Sequence, residues 1–145
     1  MFTEYTNTYD FELEKKENEF FMLYNSKFEI KDGDIISVDF AGDKDTEEWH
    51  FGFSRLSGDE VSQNLTGTGD AIKILSTVIK MIIHVALVED VRFMMFRAED
   101  ESVRGRLFEK IFRKLSPEYG YNVRVQTSES GSTISVVKEA VHETV

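Results

Sequence analysis

Trp49-His50-Phe51-Gly52-Phe53, then Asn64-Leu65-Thr66-Gly67-Thr68-Gly69-Asp70, then the apolar run from Ala71 to Leu87 decide the fold of this chain. Trp49, Phe51 and Phe53 alternate with His50, Gly52 and Ser54, the period of a strand buried on one face. Ala71, Leu75, Val78, Ile79, Ile82, Ile83 and Ala86 make a wide apolar stripe, so a helix packed on much of its circumference is expected from about Asp70 to Leu87. Two glycines at a strand-to-helix junction are where folds bring backbone amides up to an anionic group. The same glycines also suit a tight turn with positive φ. Asp70 opposes the first reading, because a carboxylate at a helix start repels a phosphate and is itself a preferred N-cap; Thr68 is the other candidate cap.

Outward from this passage, Tyr9 to Leu13 and Phe20 to Tyr24 read as a hairpin about a turn at Lys15-Lys16-Glu17-Asn18. Asp32-Gly33-Asp34 is a turn signal. Ile36, Val38 and Phe40 share a face of the next strand. Ala41 to Thr46 and Ser57-Gly58-Asp59-Glu60 read as loops. Val91 to Arg97 reads as a strand, and a second helix is expected from about Glu101 to Leu115, stopping before Pro117. Its buried face is Val103, Leu107, Phe108, Ile111 and Leu115. Tyr121 to Val125 and Thr133 to Val137 close the order as two strands. Strands, helix, strand, helix, two strands predict an α+β (mixed α/β) fold.

The 145 residues suit one domain: acidic strands over 1–60, a strand-loop-helix core over 61–138 and a polar tail over 139–145. There are no cysteines, which excludes disulfides and thiolate zinc sites. The N-terminus has no apolar leader, and the run from Ile72 to Val88 is broken by Lys73, Ser76, Thr77, Lys80 and His84. A cytoplasmic protein with no membrane contact is expected. Residues 1–60 carry 16 Asp and Glu against 6 Lys and Arg, whereas residues 61–145 carry 11 of each, so the first part holds the whole net charge of −10. Phosphate contacts need Lys and Arg, so direct nucleic-acid binding is not expected. A solvated acidic surface, a basic protein partner, and mimicry of DNA by an inhibitor of a host enzyme are the remaining readings.

The order and the loop together resemble the GCN5-related N-acetyltransferase (GNAT) fold over about residues 35 to 138. In that family an Arg/Gln-x-x-Gly-x-Gly/Ala loop opens the helix that binds the coenzyme A pyrophosphate. Asn64-Leu65-Thr66-Gly67-Thr68-Gly69 matches the loop, with Asn in place of Arg or Gln. The resemblance implies a central mixed sheet of about 6–7 strands with two main helices, and CoA or acetyl-CoA at Asn64, Gly67, Thr68 and Gly69. The family's second helix often carries Asn-x-x-Ala-x-x-x-Tyr, its Tyr protonating the leaving thiolate. Glu101, Arg104 and Phe108 stand at those positions, and Phe108 has no proton to give. The runs TGTGDAIKILSTVIKMI (66–82) and VRFMMFRAEDESVRGRLFEKIFRKL (91–115) are also similar to proteins of tailed bacteriophages, which implies a phage origin and the host cytoplasm.

Glu48 and His50 lie two apart beside Trp49. They form either a base and its orienter, where the GNAT resemblance sometimes places a carboxylate, or an exposed polar pair. His84 and His142 complete the histidines, and three scattered histidines give no metal spacing. Arg106, Lys110, Arg113 and Lys114 fall within about one 100° sector of the second helix, an anion site or a set of salt bridges to the acidic strands. Arg104 falls on the apolar face of that helix and needs acceptors there; it either anchors an anionic ligand or pairs with Glu99, Asp100 or an acidic residue of the first strands. Edge strands in the first or last hairpin allow a homodimer. These readings predict a non-catalytic GNAT-like phage accessory protein for a basic partner, with no cofactor or metal. A divergent N-acyltransferase using acetyl-CoA is the alternative.

Overall fold

The computed structural model describes residues 8–62, 70–98, 102–115, 119–128 and 131–138, with backbone alone at 62, 98, 102–106, 115, 127, 128 and 131. In chain order the elements are β1 (Glu14–Glu17), β2 (Phe21–Glu29), β3 (Ile35–Asp43), β4 (Trp49–Ser57), β5 (Glu60–Ser62), α1 (Ala71–Val88), β6 (Phe93–Ala98), α2 (Ser102–Leu115), β7 (Tyr121–Ser128) and β8 (Gly131–Lys138). The fold is α+β: one mixed sheet of eight strands in the order β1-β2-β3-β4-β6-β8-β7, with β5 paired to β4 off that path. β1 to β4 run as an antiparallel meander, and β4 then pairs with β6 in parallel. A strand, an apolar helix and a strand in succession predict this parallel pairing of the strand holding Phe51 with the strand from Val91 to Arg97, and the sheet has it.

The alternation read from sequence sorts the sheet into two faces. Phe28, Val38, Phe40, Trp49, Phe51, Phe53, Met94, Phe96, Ile134, Val136 and Val123 are buried on one face. Both helices cover that face. Phe108 of α2 stacks on Phe51 with centroids 6.2 Å apart, and Tyr121 of β7 holds α1 by donating its hydroxyl toward the carbonyls of Val91 (2.8 Å) and Ala86 (3.1 Å). Eleven of the 18 residues of α1 are buried, Ile74 to Ile79 without a break. By length and a mean hydropathy of 2.0 α1 is long and apolar enough to cross a bilayer, and 61% of it is buried inside the fold.

Several boundaries differ from expectation. Tyr9 to Leu13 is not a strand. The Tyr9 amide donates to the Thr77 hydroxyl of α1 (2.9 Å), its ring stacks on Phe28 (5.3 Å) and its hydroxyl accepts the Lys31 amide (3.1 Å), so its polar groups serve the helix layer, not a ladder. The first strand is instead Glu14–Glu17, taking in the lysines expected in a turn. The turn falls at Asn18, whose Oδ1 accepts the amides of Phe20 and Phe21, each at 2.8 Å. Eight strands stand where about 6–7 were expected. The eighth arises because Gly58 (φ 61°) folds Glu60–Ser62 back on β4, where a loop was expected. On α2, Phe112 is buried with Phe108 and Ile111, a core position absent from the face expected from sequence.

Trp49 explains a glycine. Gly42 is its register partner on β3, and a Cβ built at Gly42 would overlap the indole, 2.5 Å from Cζ2. Gly42→Ala is therefore expected to push the ring from its seat and to cost about 1–3 kcal/mol, as overpacking does. The chain has one tryptophan, so its fluorescence on urea unfolding reports the loss and the ring's new environment directly.

Candidate functional site

A cleft lies where β4 and β6 begin and α1 ends. It holds about 330 Å³ and is lined by Glu17, Met22, Asp43, Lys44, Glu47, Trp49, Glu89, Asp90, Val91 and Arg92. Five carboxylates face two cations. Three chain segments build it. The β1–β2 turn brings Glu17. The β3–β4 turn brings Asp43, whose carboxylate accepts the amides of Asp45 (2.9 Å) and Thr46 (3.3 Å). The exit from α1 brings Glu89 to Arg92. Glu47 (φ 61°) and Asp90 (φ 51°) both adopt the left-handed region that L-residues avoid, one on each wall.

Glu89 is the anchor of this wall. It accepts the Tyr24 hydroxyl and pairs with the Lys15 ammonium at 2.9 Å, with only 11% of its side chain exposed. Burial pushes its pKa up, and the bonds from Tyr24 and Lys15 outweigh that and hold it below the ordinary carboxylate value. The Tyr24 hydroxyl is raised by burial and by the Glu89 carboxylate; the Lys15 ammonium is raised by its bond to Glu89. Elsewhere on the rim Lys44 meets Glu17 (3.1 Å) and Lys138 meets Asp90 (2.6 Å). These exposed pairs trim the field of the cleft without cancelling it.

The residues singled out from sequence distribute differently. His50 and Glu48 are both exposed; Glu48 precedes β4, and its amide is turned to the Thr46 hydroxyl (3.3 Å). Asn64, Gly67, Thr68 and Gly69 lie outside the described residues. Asp70 stands at the N-cap position with its carbonyl accepting the Ile74 amide (3.0 Å), but contrary to expectation its carboxyl makes no cap bond to α1. Burial raises the pKa of that carboxyl, against the pull of the Lys31 amide and the Lys73 ammonium. The side chains of Arg104 and Arg106 lie outside the described residues. Lys110 is exposed on α2, and Arg113 pairs with Glu109 of its own helix (2.7 Å) rather than with the acidic strands. Phe108 is buried at 1% exposure between Phe51 and Phe112.

The acidic cleft and the start of α1 stand at opposite ends of an 18-residue helix, about 27 Å apart at 1.5 Å per residue. Sequence reasoning missed the cleft because its carboxylates come from three separate segments. The available signal was Glu89-Asp90 directly after an apolar helix, with Asp suited to a left-handed turn. Among the described residues no group of three or more His, Asp or Glu is arranged to hold a metal ion. Compared with protein-family models, with curated proteins and with solved structures, the chain matches none.

Glu89→Gln is expected to lower stability by about 1–2 kcal/mol at neutral pH, the worth of hydrogen bonds to a charged group. The folded pKa of Glu89 is depressed, so its contribution is present above the ordinary glutamate value of ~4.3 and is lost as pH falls through the folded value. The Lys15 pKa is raised, so its share is present below the ordinary lysine value and fades as pH climbs through the folded value. Urea melts of both proteins should differ most between these limits and converge in acid; a gap independent of pH would contradict the assignment.

Proposed function

We propose that this chain is a non-catalytic binding module on a GNAT-like scaffold, a phage accessory protein whose acidic end docks a basic protein surface. The observation that carries the reading is the charge of the cleft: Glu17, Asp43, Glu47, Glu89 and Asp90 against Lys44 and Arg92. A cationic side chain entering it meets carboxylates with low-dielectric walls behind them, which steers association and sets specificity. Phe108 supports the non-catalytic half. It stands where the GNAT resemblance would require a proton donor, and it is buried in an aromatic stack. The phage origin rests on the similarity of 66–82 and 91–115 alone.

One observation favours the acyltransferase alternative. β4 and β6 pair in parallel at only two positions, Trp49↔Met94 and His50↔Met95, and their ladder stops there. Parallel strands that part company leave backbone groups available to an extended ligand. Thermal unfolding with CoA and acetyl-CoA separates the two readings. No shift is expected at millimolar ligand. A ligand at a hundredfold its Kd would instead add about 2.7 kcal/mol, and that result would replace the binding module with the enzyme. Capture from host lysate completes the test. Proteins retained by the wild type should be basic and should be lost with Glu47→Asn/Asp90→Asn, since Asn tolerates positive φ at both positions.

A further inference from the structure

The sheet face turned away from the helices is mainly apolar at one end. Phe21 (43% exposed) and Leu23 (41%) lie two apart on β2, and Leu23 has Ala41 as its register partner on β3. Ala41 is opposite His50, His50 is opposite Met95, and Phe93 (38% exposed), two residues before Met95, is opposite Val137. One row thus crosses from β2 to β6 as Leu23, Ala41, His50 and Met95, with Lys16 of β1 opposite Leu23 at one end and Ser135 of β8 opposite Met95 at the other. Farther along the same face the residues turn polar: Asn25 donates to Asp39 (2.6 Å), and Ser37 pairs with Ser54. The patch borders the acidic cleft, because Phe21 is the register partner of Asp43, and Phe93 follows Arg92. Single exposed apolar residues need no explanation, whereas several on one face beside a charged rim do.

We infer that this open face docks an amphipathic helix of a partner protein, its apolar side on the Leu23–Phe93 patch and its Lys and Arg residues toward the carboxylates of Asp43 and Glu47. This rests on the reading of the acidic end as the dock for a basic partner. Charge complementarity fixes the sign of the flanks. The secondary structure follows from the backbone. Interior strands spend their amides and carbonyls on their neighbours, so a segment lying on the sheet face must satisfy its own hydrogen bonds, as a helix does.

The test uses three labelled peptides and the full chain, read by fluorescence anisotropy. One is a Leu/Lys helix with leucines at i, i+3, i+4 and i+7; one has the same composition scrambled; one is oligolysine. The amphipathic peptide should bind at least tenfold more tightly than the other two. Leu23→Ser/Phe93→Ser should remove that advantage and leave the weak oligolysine binding unchanged. If the double variant melts far below the wild type, Leu23→Asn alone carries the comparison. Equal binding of all three peptides overturns the patch and leaves the acidic dock standing. No binding of any peptide removes both. A wild-type dimer in sedimentation that the double variant abolishes would assign the face to a second copy and overturn the inference.

Discussion

The two halves of the sheet are joined by stacked phenylalanines more than by backbone. β4 and β6 share two register positions, too few to fix one half against the other. Phe96 of β6 lies 5.1 Å from Phe51 and 5.4 Å from Phe53, both of β4, with interplanar angles under 30°. Phe51 also meets Phe40 of β3 and Phe108 of α2. Each such pair is worth about 0.5–1.5 kcal/mol beyond its burial, so the cluster supplies what the short ladder lacks. The meander, the crossover and the second helix meet at Phe51.

This constraint decides what chemistry that region supports. Apolar rings fill the buried side of the β4–β6 junction, and Phe108 is one of them. A proton donor at that position would need a polar partner among aromatic faces, at a desolvation cost of a few kcal/mol. The acidic cleft lies just before the paired positions, where β4 and β6 begin and α1 ends. There Glu89 ties β1 to the helix exit through Lys15, and β2 through Tyr24. The same carboxylate that pins an edge strand also sets the sign of the cleft. Structure and field are coupled at one residue.

The fold was largely legible because its signals are periodic. The alternation of Trp49, Phe51 and Phe53, and the wide stripe from Ala71 to Ala86, gave the layers, the parallel pair and the order of elements. What failed was local. Tyr9 to Leu13 has a strand's alternation, but its amide is taken by Thr77, a contact 68 residues away that no window contains. Lys15-Lys16-Glu17 looks like a turn, yet charges are what an edge strand carries to discourage pairing. Asp70 has the right residue type for a cap, but its carboxyl turns toward Lys31 and Lys73. The cleft was illegible for the same reason as Tyr9: carboxylates at 17, 43, 47, 89 and 90 converge only after the sheet has formed.

The asymmetry of the sheet follows from its connections. The chain returns from β4 to β6 through α1 and from β6 to β7 through α2, and both crossings use one face. The meander contributes no helix, because its hairpin turns at Asn18 and Asp32-Gly33-Asp34 are too short to hold one. The second turn is rigid as well as short. Arg55 of β4 binds Asp34 (2.7 Å) and Asp32 (2.8 Å), clamping the turn against the neighbouring strand. With both long connections on one side, the other face of β2, β3, β4 and β6 has no cover from either helix. It holds Leu23, Phe93 and Met95 beside the most acidic part of the chain. An apolar face that neither helix covers, bordered by more carboxylates than cations among the described residues, is a surface whose binding chemistry the fold itself specifies.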